Sequence, residues 1–536
     1  MMSRVRKISN LSRLTAVIIL LCQALGGVAD EVTDCVLIQP IVVRGDDGTA
    51  PAHFRIADAL IDQVYRSADL TFHFLEPRYY DSEEARNGEI NLDQIVERTE
   101  KSGVLKRVGE QINMLFVNKV DGKSGPLGRA QTPGSIVFIA LTEKERELGE
   151  DAFVVAHESG HNLGLQHAVD DDKVPNDVPN LMGDGPFLER LGPRGLTEYQ
   201  IKIIRENPLV QPRIDFLEGD RAKQAVLDES YESYFGRLHR REIATLTGEA
   251  LESGTLEEDR ETARNRFRDA IRSFSEREKE SITWVVKELE ERLEIKFPLL
   301  WQQPWKFIKV RSGLCGNFSH TRGPCIIFSQ STVDRIVAAR NSGSTEQALL
   351  DVGTLFLHEQ LHVLQRLYPR KFAKLYRETF GLMEAEVVPH PWIEERLMTN
   401  PDASGSTWLI RDSDAPDVPA ATCYWPLTIL KGDEEVPVMG RDFRSIAVEV
   451  EDDGSGRFSV VCTPQGIPKF RDLESLQNHA RRFPTVRGLE HPNEIAAYMF
   501  ADKLRADLSA DQDVSVTKQQ RQMVLDFQHW CEQQLR

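Results

Sequence analysis

The sequence predicts a mixed α+β protein in which a helical connector joins two domains. A chain of 536 residues is too long for one ordinary hydrophobic core. Strand-type apolar runs alternate with amphipathic helical segments over residues 35–168, which indicates a mixed β-sheet packed on helices. A proline-free segment crowded with Glu, Arg and Lys then separates this region from a second set of strands and helices.

The composition restricts the class of protein. Apolar residues make up 40% of the chain and charged residues 28%, which is typical of a folded globular protein. Asp and Glu number 84 against 66 Lys and Arg, and the net charge of −18 opposes the phosphate neutralisation on which nucleic-acid binding depends. We therefore expect no nucleic-acid partner.

Residues 1–29 have the pattern of a secretory signal peptide. A basic stretch that ends at Arg13 precedes an apolar run over residues 14–25, and small residues follow it. This run is shorter than the ~20 apolar residues that a membrane-spanning helix needs. We expect the segment to be cleaved, the protein to be secreted or periplasmic, and no stable membrane insertion to remain.

The cysteines outside the signal segment are even in number, which predicts disulfides in an exported chain. Sequence alone cannot choose among the pairings. We favour the two local ones, Cys315 with Cys325 and Cys423 with Cys462. Metal binding by these cysteines is less favoured because the sequence contains no CxxC pair.

The first domain, residues 30–212, carries a metal-ligand pattern. His157 and His161 are four residues apart, so a helix places both imidazoles on one face beside Glu158. Gly164 can end that helix in a left-handed turn, which brings His167 to the same point. Three neutral imidazoles leave one position open for water, as in a catalytic zinc site. Glu158 would take the proton from the water and pass it to the leaving amine.

This pattern, HExxHxxGxxH, resembles the signature of the metzincin metallopeptidases. Residues 180–183, Asn-Leu-Met-Gly, resemble the Met-turn beneath the zinc of that family, and residues 196–200 resemble the start of its closing helix. The strand at residues 135–140 would correspond to the edge strand that aligns the substrate backbone. The resemblance covers about residues 35–210 and implies a zinc-dependent peptidase domain.

The predicted connector, residues 213–283, is followed directly by the second domain. Its sequence from residue 256 onward suits one or two solvated amphipathic helices. A coiled coil is the less favoured alternative because no sustained heptad is visible.

The second domain, residues 284–536, contains a further HExxH pattern within a predicted long helix over residues 345–367. His358 and His362 would be the ligands there, and Glu359 would be the base. No glycine and histidine follow at the spacing of the first motif, so a third ligand has to come from elsewhere in the chain.

The stretch Pro-Asn-Glu-Ile-Ala-Ala at residues 492–497 resembles the glutamate-bearing helix of gluzincin metallopeptidases, whose NExxA motif supplies a zinc ligand. The resemblance covers about residues 285–505 and implies that Glu494 is the third ligand. Glu384 and Glu386 are the alternative, and the absence of a metal is another. Turn-rich strands over residues 405–465 predict hairpins that would be an insertion in such a domain.

Three other features are open to a functional interpretation. Residues 170–172 are three aspartates that could bind calcium, but a solvated acidic loop is favoured because the EF-hand spacing is missing. His491 could donate a hydrogen bond to the reacting substrate, although an ordinary surface histidine is favoured. The aromatic residues Trp301, Trp305 and Phe307 are expected to pack in the core.

Together these observations predict an exported zinc endopeptidase of two zincin-type domains, with one Zn²⁺ in each and protein or peptide substrates. The alternative within this interpretation is that only the first domain is catalytic and the second is a zinc-containing scaffold or peptide-binding module. The rival from another class is a binding protein with purely structural zinc sites, but such sites have no need of Glu158 and Glu359 as bases.

Overall fold

The computed structural model describes residues 34–56, 58–123, 127–142, 151–174, 180–183, 195–293, 296–402, 407–411, 422–485, 487–508 and 517–536. The predicted signal peptide lies outside these residues. The prediction of a mixed fold of helices and sheets is confirmed. None of the described helices combines the length and the hydropathy that a bilayer crossing requires.

Residues 34–212 form a mixed sheet with the strand order β2-β1-β4-β6-β5, in which β3 and β7 pair with further stretches of β1. The strands are β1 (Asp34–Arg44), β2 (Leu70–Phe74), β3 (Arg78–Asp81), β4 (Ile112–Phe116), β5 (Gly128–Ala130), β6 (Ile136–Ile139) and β7 (Gln211–Pro212). Nine successive residues of the central strand β1 are buried because hydrophobic clusters cover both of its faces.

Helices cover this first sheet. They are α1 (Asp58–Tyr65), α2 (Glu83–Arg86), α3 (Leu92–Lys101), α4 (Asp151–Asn162) and α5 (Glu198–Arg205). Helix α4 is buried along almost its whole length, and Phe153 and Ala156 pack with Ile61 and Tyr65 of α1. The histidine motif of the first domain is therefore carried by the most deeply buried helix of its layer.

The edge strand was predicted wrongly. The strand expected at residues 135–140 is β6, and it lies inside the sheet between β4 and β5. The edge strand on this side of the sheet is β5, which pairs antiparallel with β6. Because β5 is only three residues long and contains a glycine, its apolar pattern was too weak to predict a strand.

A second sheet follows directly on the first. Its strands are β8 (Ile214–Leu217), β9 (Ile271–Arg272), β10 (Trp305–Val310), β11 (His320–Arg322) and β12 (Cys325–Ser329). They have the order β11-β12-β10-β8, and β9 pairs with β10. Trp305 and Phe307 face one hydrophobic cluster and Ile308 and Val310 face another, so that β10 is buried on both sides.

The segment interpreted as a connector, residues 213–283, belongs structurally to this second sheet. Its strand β8 pairs in parallel with β10. Its helices are α6 (Gly219–Leu227), α7 (Arg240–Thr247), α8 (Leu256–Asp269) and the first part of α9 (Glu276–Leu293). Phe235 and Phe267 pack against Ile308 and Ile327 on one face of the sheet, and a high density of surrounding charged residues hides this burial in the sequence.

The opposite face of the second sheet packs on a helical layer built around the second histidine motif. Its helices are α10 (Leu299–Gln302), α11 (Gln330–Arg340), α12 (Thr345–Ala348), α13 (Thr354–Leu367), α14 (Pro369–Lys374), α16 (Gln477–Arg482), α17 (Pro492–Leu508) and α18 (Lys518–Gln534). A further helix, α15 (Pro391–Glu394), packs instead against Leu427 and Ile446 of the strands described next. The motif helix α13 packs against α17. Trp301, Trp305 and Phe307 are buried in this layer, so their prediction as core residues is confirmed.

The hairpins predicted over residues 405–465 are part of a closed barrel. Its strands are β13 (Met383–Val387), β14 (Thr407–Arg411), β15 (Cys423–Leu430), β16 (Phe443–Asp452) and β17 (Arg457–Val460). Successive strands pair antiparallel, and a parallel pairing of β17 with β13 closes the ring. A further strand, β18 (Phe470–Asp472), pairs with β16.

The predicted disulfides are not formed in the part of the chain that the structure describes. Cys423 lies opposite Val450 in the β15–β16 register, whereas the backbone of Cys462 pairs with that of Pro468 in an isolated β-bridge. Cys325 lies opposite Arg322, while Cys315 belongs to a separate tight turn with φ of 48°. Closeness in sequence therefore did not place either pair of thiols in bonding positions.

Candidate metal centres

The first candidate centre is built on α4 and the turn that follows it. His157 and His161 lie on one face of the helix, and Gly164 adopts φ of +97°, so that the chain bends and carries His167 back toward them. One nitrogen of each histidine lies within 4.8 Å of those of the other two. The Nε2 atoms of His161 and His167 are 3.1 Å apart. The structure thus brings together the three histidines predicted as ligands.

Backbone carbonyls orient two of these rings. His157 Nδ1 lies 2.9 Å from the carbonyl oxygen of Leu181, and His161 Nδ1 lies 2.8 Å from that of Leu165. Because a carbonyl oxygen can only accept, each Nδ1 carries the proton, and each Nε2 keeps the lone pair that a metal requires. The third ring, that of His167, has 43% of its side chain exposed and lies 3.7 Å from an oxygen of Asp170.

The segment predicted as a Met-turn lies beneath this centre. A β-carbon on Gly160 would come within 2.8 Å of Met182 Sδ, so the sulfur lies directly against the helix between the two ligand positions. Asn180 and Gln200 exchange two hydrogen bonds of 2.8 and 3.0 Å, and Asn180 also accepts from the Met182 amide at 3.0 Å. These bonds connect the turn to the first turn of α5.

Glu158 lies beside the edge strand β5. A β-carbon on Gly128 would overlap Glu158 Cγ and come within 2.6 Å of its Oε1, so any larger residue there would force the Glu158 side chain to move. Burial raises the pKa of Glu158 to about 7. A carboxyl group with such a pKa can accept and return a proton near neutral pH.

The second candidate centre combines α13 with the first turn of α17. His358 Nε2 lies 3.0 Å from His362 Nε2 and 3.4 Å from Glu494 Oε2, and His362 Nε2 lies 3.6 Å from Glu494 Oε1. These ligand atoms all lie within 4.8 Å of one another. Glu494 therefore lies where the NExxA resemblance placed it, on a helix that packs directly against the histidine helix.

Side chains outside the motifs orient these ligands. Gln365 Oε1 lies 2.7 Å from His362 Nδ1, and the Gln365 amide group donates to the carbonyl oxygen of Asn493 at 3.0 Å. Asn400 Nδ2 donates to Glu494 Oε1 at 2.7 Å. The ring of Tyr498 lies against that of His358, with 4.5 Å between the centroids. Each ligand thus has a neighbour that restricts its rotamer.

The electrostatic environment of the second centre favours a cation. Burial opposes charge on His362, but the carboxylates of Glu494 and Asp402 outweigh it and raise the pKa of His362 to about 9. Although burial also disfavours the charged form of Glu494, the neighbouring His362 and His358 hold its pKa well below the ordinary value. The same negative potential that stabilises a proton there would stabilise a divalent metal ion.

Glu359 is 2% exposed, and its Oε2 has no hydrogen-bond partner within the described part of the chain. Burial raises its pKa well above the ordinary value of a carboxyl group. A buried carboxylate oxygen without a partner is costly and requires an explanation. A water molecule beside the metal position would provide the missing partner, so this orphaned atom fits a hydrolytic metal centre.

The two other glutamate candidates lie apart from the second centre. Glu384 and Glu386 are on β13 and form ion pairs with Arg377 at 2.8 Å and Arg457 at 3.0 Å, so this alternative to Glu494 is excluded by position. His491 contacts the side chain of its neighbour Asn493.

The acidic loop at residues 170–172 does not belong to either group of convergent ligands in the described residues. Asp171 instead accepts from the backbone amide of Lys173 at 3.0 Å.

Sequence reasoning missed Asn400, Gln365 and Asp402. Gln365 is one helical turn after His362 and could have been found from that spacing. Asn400 is in an irregular stretch between the barrel strands β13 and β14, and no local signal marks it. No protein-family model matches the chain, and no curated protein matches it. The resemblances to metzincins and gluzincins therefore rest on the motifs and their spacing.

Proposed function

We propose that this protein is an exported zinc-dependent endopeptidase with two hydrolytic centres, a metzincin-like one in residues 30–212 and a gluzincin-like one that uses His358, His362 and Glu494. The observation that carries this proposal is the same in both places. Three ligand atoms converge beside a glutamate that directly follows the first histidine, the half-buried Glu158 or the buried Glu359.

The donor sets fit zinc. Three imidazoles in the first centre, and two imidazoles with a carboxylate in the second, are the sets that hold catalytic Zn²⁺ and leave a coordination position open. Calcium prefers six to eight oxygen ligands, which neither centre offers. When bound, zinc would polarise the substrate carbonyl and lower the pKa of the attacking water.

The glutamates would move the proton. Glu158 would accept it from the attacking water and return it to the leaving amine. Glu359 would have the same role in the second centre, where its unpartnered Oε2 is the acceptor. Neither role requires a covalent intermediate on the protein.

An extended peptide could bind along β5 in the first centre. This strand is the sheet edge next to Glu158, and its outer backbone groups can pair with a substrate strand. The signal-like residues 1–29 support a secreted or periplasmic location, and the negative net charge supports a protein substrate over a nucleic acid.

A second candidate function applies to the second centre alone. Glu359 and His362 are 2% and 0% exposed, whereas the His167 side chain of the first centre is 43% exposed. This deeper burial favours the alternative that only the first centre hydrolyses peptides and the second is a zinc-containing scaffold or peptide-binding module.

Metal analysis combined with variants tests the proposal. We expect two zinc ions per chain in the purified protein, and one in each of the variants His161→Ala and His362→Ala. A proteome-derived peptide library then measures cleavage by the parent, by Glu158→Gln and by Glu359→Gln, which should keep their zinc. If Glu158→Gln abolishes all cleavage and Glu359→Gln does not, the second centre has only the scaffold role. Unchanged cleavage in a variant that carries both Glu158→Gln and Glu359→Gln would refute the mechanism.

A further inference from the structure

We infer that Asn400 is a positioning residue of the second centre, which holds the Glu494 carboxylate in the orientation that binds the metal. This inference rests on the proposed metal function of that centre. Asn400 Nδ2 donates to Glu494 Oε1 at 2.7 Å, whereas Oε2 is the oxygen nearer to His358, at 3.4 Å from its Nε2. The hydrogen bond from Asn400 draws electron density from Oε1 and makes it a weaker metal ligand. Oε2 is therefore the stronger ligand atom toward the metal position.

The orientation of the Asn400 amide group is determined by its other end. The backbone amide of Asp402 donates to Asn400 Oδ1 at 2.8 Å. Because a backbone N–H can only donate, that end of the side chain is the oxygen, and the end facing Glu494 is the NH₂ group. Asn400 therefore presents a donor to the carboxylate.

The loop that carries Asn400 is anchored on both ligand-bearing helices. Arg366 of α13 donates to the carbonyl oxygen of Pro401 at 2.5 Å. Asn493 of α17 donates to the carbonyl oxygen of Asp402 at 2.7 Å. Since His358 and His362 are on the first helix and Glu494 is on the second, the loop connects the two halves of the centre.

A second layer holds this loop in place. The Asp402 carboxylate accepts from the backbone amide of Thr321 at 2.7 Å, and the hydroxyl of Thr399 donates to Glu242 at 3.3 Å. Glu242 is 1% exposed and is contributed by α7, in the segment interpreted as a connector. The position of Asn400 is therefore determined by elements from three separate parts of the chain.

An asparagine suits this position because its donor is uncharged. A lysine or arginine would place a competing positive charge beside the metal, and an aspartate would place a second carboxylate within hydrogen-bond distance of Glu494. A neutral amide orients the ligand without changing the charge of the centre. Loss of such an orienting partner typically lowers metal affinity by ~10–100-fold.

The test uses the full chain in a His161→Ala background, so that only the second centre can take up metal. Zinc affinity is measured by competition with a chromogenic chelator, and the visible absorption of the Co²⁺-loaded protein reports the ligand geometry. Asn400→Asp keeps the size of the side chain and its acceptor for Asp402 while removing the donor to Glu494. Asn400→Ala removes both ends of the side chain, and urea unfolding of the metal-free proteins monitors the fold.

Asn341→Ala is the matched control. The Asn341 amide is exposed and, within the described residues, donates to the carbonyl oxygen of Val337 in the preceding helical turn, at 2.6 Å. We expect ~10–100-fold weaker zinc binding in Asn400→Ala, a greater loss in Asn400→Asp, an altered Co²⁺ spectrum in both, and no change in the control. Unchanged affinity and spectrum in folded Asn400→Asp would overturn the inference.

The outcomes also separate this inference from the proposed function. If the His161→Ala protein binds no zinc, the metal proposal for this centre fails and the role of Asn400 fails with it. If zinc binds but this centre cleaves no peptide, only the hydrolytic proposal fails. The comparison of Asn400→Asp with the parent then still decides the positioning role.

Discussion

Gly128 of the edge strand lies so close to Glu158 that a β-carbon there would come within 2.6 Å of the carboxylate oxygen Oε1. This contact joins the strand proposed to bind substrate to the proposed base. It also explains why a strand of only three residues begins with a glycine.

We predict that Gly128→Ala displaces the Glu158 carboxylate and lowers peptide cleavage by the first centre by roughly 100-fold, the cost of a misplacement of about 1 Å. Zinc content should stay unchanged because the three histidines are untouched. The measurement is kcat/KM in a His362→Ala background. Gly254→Ala is the control, since a β-carbon there meets the far end of the Glu258 side chain at 3.0 Å. Equal losses in both variants would contradict the prediction.

A second prediction concerns the buried ion pair of Glu278 and Lys309, whose side chains are 11% and 5% exposed and 2.7 Å apart. Burial alone would raise the pKa of Glu278, but hydrogen bonds from Lys309, Ser275 and Gln330 lower it to about 2. Because the folded-state pKa is depressed, the stabilisation is complete above the ordinary pKa of ~4.5 and is lost as the pH falls toward 2.

We expect Glu278→Gln to lower the free energy of unfolding by about 3 kcal/mol at pH 7, since it leaves Lys309 charged and buried. The difference from the parent should shrink as the pH falls below ~4.5. Urea unfolding of the metal-free proteins at several pH values measures both effects. The exposed Glu276, 85% accessible and 3.4 Å from Lys279, provides the control Glu276→Gln, which should change stability by less than ~1 kcal/mol.

The third prediction tests whether residues 213–283 stabilise the second centre. Glu232 from this segment forms an ion pair with Arg366 of the motif helix α13 at 2.7 Å, and both side chains are less than 8% exposed. Glu232→Ala removes the carboxylate that both Arg366 and the fully buried Arg322 contact, and should cost about 3–5 kcal/mol. Calorimetric or urea unfolding measures this loss.

Zinc uptake by the second centre should weaken in the same variant, because Arg366 also holds the Asn400 loop through Pro401. The first centre should keep its zinc. Glu206→Ala removes an exposed pair with Lys202 at 3.9 Å and is expected to change stability by less than ~1 kcal/mol. A Glu232→Ala protein as stable as this control would show that the segment contributes little.

The fourth prediction concerns metal removal. The His167 side chain is 43% exposed, whereas His358 and Glu494 are 12% and 11% exposed and His362 is fully buried. A chelator can therefore approach the first centre more easily. The His362→Ala variant holds zinc in the first centre and the His161→Ala variant holds it in the second. In excess EDTA, His362→Ala should therefore release its zinc faster than His161→Ala. Release at equal rates, followed with a zinc-sensitive dye, would contradict the difference in access.

The sequence by itself determined the parts of this protein that depend on local spacing. Helical periodicity places His157 beside His161 and His358 beside His362 wherever those helices pack, and Gly164 can supply the turn before His167. The mixed fold was also predictable, because alternating strand and helix patterns are local properties.

Only the tertiary structure decided the rest. The choice of Glu494 over Glu384 and Glu386 depends on the packing of α17 against α13, and the edge strand β5 depends on strand order. The absence of disulfides among the described cysteines and the contact of Asn400 with Glu494 depend on the register of strands and the path of one loop. The physical reason is the same in each case. These contacts join residues distant in the sequence, and the free energy of packing the whole chain selects them, whereas no short-range pattern encodes them.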